Sequence, residues 1–226
     1  MKFGGAMFFT EYSMTAPELA AALEERGFDS VWAPEHSHIP VSRKTPFPGG
    51  GDLPKQYADA MDPFVVLAAA ANATKTIKLG TGVLLVQQRD AIQTAKLVAS
   101  IDQVSRGRFL FGIGGGWNQD EMENHGTVYK TRFKRVRESI EAMKEIWSKP
   151  QAEYHGEFVN FGPIMAWPKR RRRRIRLSMS VVRSRRAPDA PSDTVTAGYR
   201  QPAATSPSRY RSSKKWRARP GAIPRR

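Results

Sequence analysis

An α/β fold, a parallel sheet covered by helices, is what the sequence predicts, and three observations predict it. Short apolar segments alternate with amphipathic ones, with strand starts near residues 2, 28, 78 and 108. The amphipathic segments open on helix-capping signatures. The chain has 226 residues, 40% of them hydrophobic, enough for a substantial core. Strand, helix, strand, helix in repetition is the grammar of helices packed on a parallel sheet. Doubly wound sheets and (β/α)8 barrels share it, and periodicity does not separate them.

Taken in order, Lys2–Phe9 is short, apolar and glycine-containing, as a buried strand would be. Thr15-Ala16-Pro17-Glu18 announces a helix: Thr15 can cap free backbone N–H groups and Glu18 can complete the box. Leu19, Ala22 and Leu23 give it an apolar face, and Gly27 stands where a C-terminal glycine belongs. Phe28–Ala33 reads as a second strand, ending at Pro34-Glu35-His36. The Pro- and Gly-rich connection from Ser37 to about Met61 is long enough to be functional or mobile. Asp62-Pro63 opens an alanine-rich helix as N-cap and first-turn proline. Lys78–Val86 is a third strand, and Asp90–Val104 a helix with Ile92, Ala95, Val98 and Ile101 on one face. Arg106-Gly107 turns the chain into a fourth strand, Arg108–Ile113. Thr131–Ser148 is the clearest helix, with Phe133, Val136, Ile140, Met143 and Trp147 aligned.

Composition excludes several chemistries. Without cysteine there is no disulfide framework, zinc-thiolate site, iron–sulfur cluster or thiol catalysis. No apolar run reaches the ~18 residues of a membrane span, and the N-terminus lacks a signal peptide's apolar core. A protein of the cytoplasm, with no membrane association, is the expectation. The net charge of +16 is unevenly placed: residues 169–226 carry 19 Lys+Arg against Asp189 and Asp193, whereas residues 1–168 carry about −1.

Candidate site residues follow the strand ends. Glu35-His36 closes the second strand, and in parallel α/β folds such positions face the ligand crevice. Histidine is the side chain best suited to proton transfer near neutral pH, and a surface histidine is the competing reading. His38, His125 and His155 have weaker claims, and no metal-ligand spacing is present, so no metal is assigned. Thr81-Gly82 lies toward the end of the third strand, where a glycine marks a bulge, a ligand's approach, or simple packing. Gly112-Ile113-Gly114-Gly115-Gly116 fits either a close backbone approach to a phosphate or ring, or a tight turn. It is not the dinucleotide fingerprint, because the sixth position is Trp117. Asn118 could bond a polar ring edge, and Glu121 reads as structural support.

Together these blocks resemble the bacterial luciferase-like oxidoreductases, in particular the branch using the deazaflavin coenzyme F-420. The resemblance is carried by Gly27–His36, Asp62-Pro63-Phe64 and its alanine helix, Leu79–Val83 and Gly107–Asn118. It continues to His155-Gly156-Glu157-Phe158 and Ala166-Trp167-Pro168-Lys169. It implies a (β/α)8 TIM barrel with the cofactor ring at the C-terminal mouth of the strands. Glu35 and His36 would lie at the reactive face as catalytic residues. Thr81, Gly82 and Val83 would support the ring, and Gly114, Gly115, Gly116 and Asn118 would border the same pocket. The cofactor would be F-420, with FMN the alternative, and the partner a small organic substrate, with a homodimer possible. The chemistry implied is hydride transfer or, with reduced flavin, monooxygenation.

The resemblance is expected to stop after residue 168. Residues 1–168 then form the N-terminal portion of a barrel, about four βα units, and 169–226 an arginine-rich, low-complexity tail. Arg170–Arg174 are five consecutive arginines, and only Ile175–Val182 alternates like a strand. The rest cannot bury enough apolar surface to offset its ordering entropy, so disorder is expected. Out-of-frame translation of a GC-rich gene, a basic arm binding nucleic acid nonspecifically, and a natural extension are the three explanations. A chain without barrel strands seven and eight is expected to bind cofactor weakly or not at all, as a truncated and impaired member of its family; the alternatives are a nucleic-acid-binding protein acting through the tail and an inactive truncated fragment.

Overall fold

The computed structural model describes residues 2–171 and the backbone of 177–180. In chain order the elements are β1 (Gly4–Ala6), α1 (Ala16–Glu25), β2 (Ser30–Ala33), α2 (Gln56–Asp59), α3 (Pro63–Ala73), β3 (Lys78–Thr81), α4 (Ala91–Val104), β4 (Phe109–Gly114), α5 (Gln119–Asn124), α6 (Arg132–Ser148), β5 (Ala152–His155), β6 (Asn160–Ile164) and β7 (Leu177–Ser180). One five-stranded sheet has the order β1-β2-β3-β4-β7, every pair parallel. Strands β5 and β6 form a separate antiparallel pair.

The helices begin where their caps place them. Thr15 and Glu18 close a reciprocal box on α1, Glu18 accepting from the Thr15 N–H at 3.0 Å. Asp62 accepts from the N–H groups of Phe64 and Val65 at 2.8 and 3.3 Å, and Asp90 from that of Gln93 at 2.7 Å. Each such cap contributes about 1 kcal/mol. Gly27, at φ +74°, takes the left-handed position that releases the chain from α1 into β2.

The core lies between sheet and helices. Val31, Leu79, Phe109, Phe111 and Ile113 point outward from the strands and are buried against Leu67 and Ala70 of α3, Val98 of α4, and Val136 and Met143 of α6. Trp147 closes the α4–α6 seam by donating its indole N–H to the Ala95 carbonyl at 2.9 Å. The opposite face of the sheet is built from glycines under Trp32. A Cβ on Gly80 would meet Trp32 Cε3 at 2.2 Å, and one on Gly112 would meet the Thr81 carbonyl oxygen at 2.1 Å.

The structure differs from the sequence reading in definite places. Strand β1 is three residues, not Lys2–Phe9, because the Phe3 N–H turns to the Asp29 carboxylate and the Phe9 carbonyl receives the Met61 N–H. Strand β3 stops at Thr81 instead of reaching Val86. The Gly82–Val83 peptide is cis, Leu84 rejoins the ladder through an isolated bridge to Ile113, and Val86–Gln88 forms a 3-10 turn. The short helices α2 and α5 and the β5–β6 pair were not expected. The turn between β5 and β6 is held by buried Glu138 of α6, which accepts from the Phe158 N–H at 2.7 Å.

The sheet also runs past residue 168. Lys169 donates to the Ile146 and Lys149 carbonyls at 2.6 Å, and the Arg171 N–H donates to buried Asp102 at 2.8 Å. Beyond them Leu177–Ser180 pairs in parallel with Phe111–Gly114, within the Ile175–Val182 stretch whose alternation resembled a strand. The described sheet therefore has five parallel strands, not four, and β7 stands beside β4, where a barrel's fifth strand belongs. The remainder of the expected disordered tail, and with it the expected nucleic-acid contact, lies outside the described residues. Among the described residues no helix is long and apolar enough to cross a membrane.

Candidate functional site

All five strands being parallel, their C-terminal ends open at one edge, and the segments leaving β2, β3 and β4 meet there. His36 follows β2. Its Nδ1 lies 2.7 Å from Oε2 of Glu121, a fully buried carboxylate on α5. The other Glu121 oxygen accepts from the Ser37 N–H at 3.1 Å. Glu121, read from sequence as structural support, is thus the direct partner of His36 across 85 positions, a pairing that no local pattern announces.

Glu35 faces a different neighbour. Its carboxylate is 6% exposed, accepts from the Leu85 N–H and from Arg89 Nε, each at 2.5 Å, and so ties β2 to the segment after β3. Arg89 also reaches Asp62, the cap of α3. Burial pushes the Glu35 carboxyl above its ordinary value, although Arg89 and the Leu85 N–H pull against it. The arginine is desolvated too, but its two carboxylates hold it above its usual value. A cleft of about 280 Å³ is lined by Glu35, Ser37, Gln88, Arg89 and His125.

The Thr81–Val83 segment makes a step in the sheet. Gly82 N–H donates to the Ala33 carbonyl at 2.8 Å and Leu84 N–H to the Gly112 carbonyl at 2.9 Å, so Val83 stands off the ladder between them. Gly82 is exposed, and a Cβ there would come no closer than 3.4 Å to Trp32. Thr81 is fully buried and secures the step, donating to the Gly112 carbonyl at 2.7 Å and accepting its N–H at 3.0 Å.

The glycines after β4 divide. Gly115 and Gly116 are filled in by the protein itself: a Cβ on Gly115 would meet Phe133 at 2.3 Å, and one on Gly116, at φ +66°, would meet Met122 at 2.6 Å. Gly114 is the last residue of β4, paired with Ser180. Asn118 is 1% exposed and stands at the N-cap of α5, but its side chain makes no capping bond, and both atoms of its amide lack a hydrogen-bond partner among the described residues. A buried amide costs free energy unless something meets it.

The long connection is a strap tied over this edge. Asp120 accepts from the Lys44 and Thr45 N–H groups at 3.1 and 2.9 Å and from the Thr45 hydroxyl. Those bonds, the Thr45 hydroxyl first, lower its carboxyl to about 2. The strap brings Phe47 and Tyr57 against Trp117, and Tyr57 and Trp117 flank His36 with ring centroids at 5.2 and 5.8 Å. Among the described residues no His/Asp/Glu group is arranged to hold a metal. The exposed backbone at Gly82 and the unmet Asn118 amide suit a flat heteroaromatic ring with polar edges, which is the fit the resemblance requires.

The luciferase-like monooxygenase family matches residues 10–202, further along the chain than residue 168. An uncharacterised protein of Mycobacterium tuberculosis is 42% identical over 172 residues, covering 75% of this chain and 61% of its own length. An F-420-dependent glucose-6-phosphate dehydrogenase of Amycolatopsis mediterranei is 32% identical over 145 residues, 62% of this chain and 40% of its own. The chain therefore spans about three-fifths or less of these curated relatives. Among solved structures, the monooxygenase RslO1 of Streptomyces bottropensis superposes with a TM-score of 0.67 at 27% identity, over 79% of this chain and 53% of that one. The FMN-bound oxygenating constituent of 3,6-diketocamphane monooxygenase from Pseudomonas putida gives 0.58 at 22% identity, over 72% and 43%, a likeness of fold alone. Sheet and family match agree, and the chain belongs to the luciferase-like monooxygenase family of flavin- and F-420-dependent oxidoreductases.

Proposed function

We propose that this chain carries the ring-side wall of an oxidoreductase site that takes F-420 or FMN and a small organic substrate. The observation that carries this reading is His36, oriented by a buried carboxylate at the strand ends where the exposed Gly82 backbone also lies. The bound ring would supply hydride transfer or, as reduced flavin, oxygen activation. His36 would hold or release a proton at Nε2, the nitrogen not engaged by Glu121. Thr81, Gly82 and Val83 would form the floor under the ring, with Gly114 and Asn118 along its border; Gly115 and Gly116 pack against Phe133 and Met122 instead. The Asn118 amide would meet a polar ring edge, and the strap aromatics would keep water from the reacting face. Glu35 would act at one remove, fixing the arm from which His36 projects.

In barrels of this type phosphate groups bind at the loops after strands seven and eight, which the described sheet does not include. The residues proposed here therefore meet the ring and not its tail. Titration of the full chain with riboflavin and with FMN tests this. Both are expected to bind alike and more weakly than micromolar. Micromolar FMN binding with undetectable riboflavin binding would refute it. His36→Ala is expected to leave riboflavin binding intact while abolishing turnover, and unchanged turnover would remove the role given to His36.

A further inference from the structure

Around the His36–Glu121 pair lies a second polar cluster that the reading above does not use. Ser37 Oγ sits 2.7 Å from His125 Nε2, 2.9 Å from His38 Nδ1 and 3.4 Å from Glu121 Oε1. On its far side His38 presents Nε2 to the side-chain nitrogen of Asn124 at 2.9 Å. A hydroxyl has one hydrogen and two lone pairs, so Ser37 can donate to only one of three neighbours at a time.

The remaining partners fix the directions. Asn124 donates to His38 Nε2, which leaves neutral His38 with its hydrogen on Nδ1, donating to Ser37. Ser37 then donates either to His125 Nε2 or to Glu121 Oε1. Its hydroxyl is a two-way switch between an imidazole at the mouth of the cleft and the carboxylate that orients His36.

We propose that Ser37 and His125 form a proton relay connecting His36, through Glu121, to solvent. In the outward direction a proton taken by His36 at Nε2 releases the one on Nδ1 to Glu121 Oε2. The Glu121 carboxyl then turns about its Cγ–Cδ bond to carry that proton to the Ser37 side and passes it to Ser37 Oγ as the Ser37 hydrogen passes to His125 Nε2, and His125 gives up its Nδ1 proton to water. Ser37 ends with one hydrogen, the one received from Glu121 in place of the one given to His125, and no electrons move; the reverse sequence brings a proton in. The 3.4 Å contact is the loosest link. The groups facing His125 are His38, Glu121 and Arg89; burial first, then His38, push its imidazole below the ordinary value, so it is neutral and able to accept near pH 7. Ser37 is exposed, which places the exit at the surface.

This inference rests on the reading of His36 as the proton-handling group, and its test separates the two. NMR of the full chain labelled with ¹⁵N-histidine, without cofactor, reports the tautomer of each ring. Single Nδ1–H tautomers are expected at His38 and His125, with the His36 Nδ1 signal moving as His125 is charged. Ser37→Ala is expected to mix those tautomers and disconnect His36 from His125, and Ser37→Thr, which keeps the hydroxyl, to restore both. A Ser37→Ala protein in which His36 still follows His125 would overturn the relay. With cofactor bound, Ser37→Ala and His125→Gln are expected to lower kcat about tenfold at unchanged KM, a fraction of what a direct acid–base group provides. Added imidazole is expected to restore the rate. Unchanged kcat in both variants, with His36→Ala inactive, would sink the relay and leave the reading intact; full activity of His36→Ala would sink the reading itself.

Discussion

Arg89 offers the sharpest test of how the site is held. Its guanidinium joins Glu35, whose side chain is 4% exposed, to Asp62, whose side chain is 40% exposed, and lies 5.3 Å over the Phe64 ring. Arg89→Met keeps the aliphatic stem and removes the charge. Breaking a buried pair from one side costs about 3–5 kcal/mol. Arg89 itself retains 22% exposure, so about 3 kcal/mol is expected. Asp62 adds less than about 1 kcal/mol, being half in water and still capping α3. At about 2–4 °C per kcal/mol for a domain of this size, Tm should fall by about 6–12 °C.

The loss should depend on pH in one direction. Glu35 already titrates above its ordinary 4.5 in the folded protein, so the native state binds that proton more tightly than the unfolded chain does. Stability then declines as pH rises from about 4.5 through the raised native value. Removing Arg89 lifts that value further, so urea denaturation should show the full loss at pH 8 and a much smaller one at pH 5. Glu35→Gln in the Arg89→Met background should regain about 2 kcal/mol, since the stranded charge is gone and an amide oxygen can still accept the Leu85 N–H. A loss under about 1 kcal/mol, or an equal loss at both pH values, would refute the account.

Other expectations follow from single contacts. Gly112→Ala should cost about 3 kcal/mol in urea unfolding, because the new methyl meets the Thr81 carbonyl and no flexible side chain can yield. Asn118→Leu should raise stability by about 1 kcal/mol by removing two unmet buried polar atoms, yet weaken riboflavin binding, so Tm and titration should move in opposite directions. At Glu24, burial pushes the carboxyl up, but bonds from Thr76, Ile77 and Lys75 outweigh it and bring it from 4.5 to about 2. That drop corresponds to about 3 kcal/mol, which solvent screening of an exposed carboxylate reduces to about 1–2 kcal/mol. Because the folded value is the lower one, the advantage over Glu24→Ala should be constant above pH 5 and vanish as pH falls toward 2.

What was legible in the sequence was local. The Thr15–Glu18 box and Asp62-Pro63 each act within four residues, and α1 and α3 start where they say. The β5–β6 pair was not legible, because His155 and Asn160 alternate with no clean apolar period and their turn depends on Glu138, more than fifteen positions upstream. Position at a strand end marked His36, but its partner could not be read, since Glu121 meets it only after β3, α4 and β4 are in place. Gly115 and Gly116 looked like a cradle for a ligand, and their small size answers to Phe133 and Met122, which a glycine run does not name. Ile175–Val182 alternated like a strand, but its pairing with β4 was not legible, because charge composition speaks to solvation and not to the backbone ladder that β7 makes.

The strap and the His36 arm both end on neighbouring residues of one short helix, Asp120 and Glu121, across 75 to 85 positions of chain. Loops that long close late, since their ordering entropy falls due before their contacts form. On refolding, the hydrophobic core between α3, α4 and α6 can therefore be complete while the site is still open. In native-state hydrogen exchange, the same logic makes the amides of Ser37, Lys44 and Thr45 open together, at a lower free energy than those of β3 and β4. The protein's capacity to engage a ligand and its global stability are separate quantities, divided at one turn of helix.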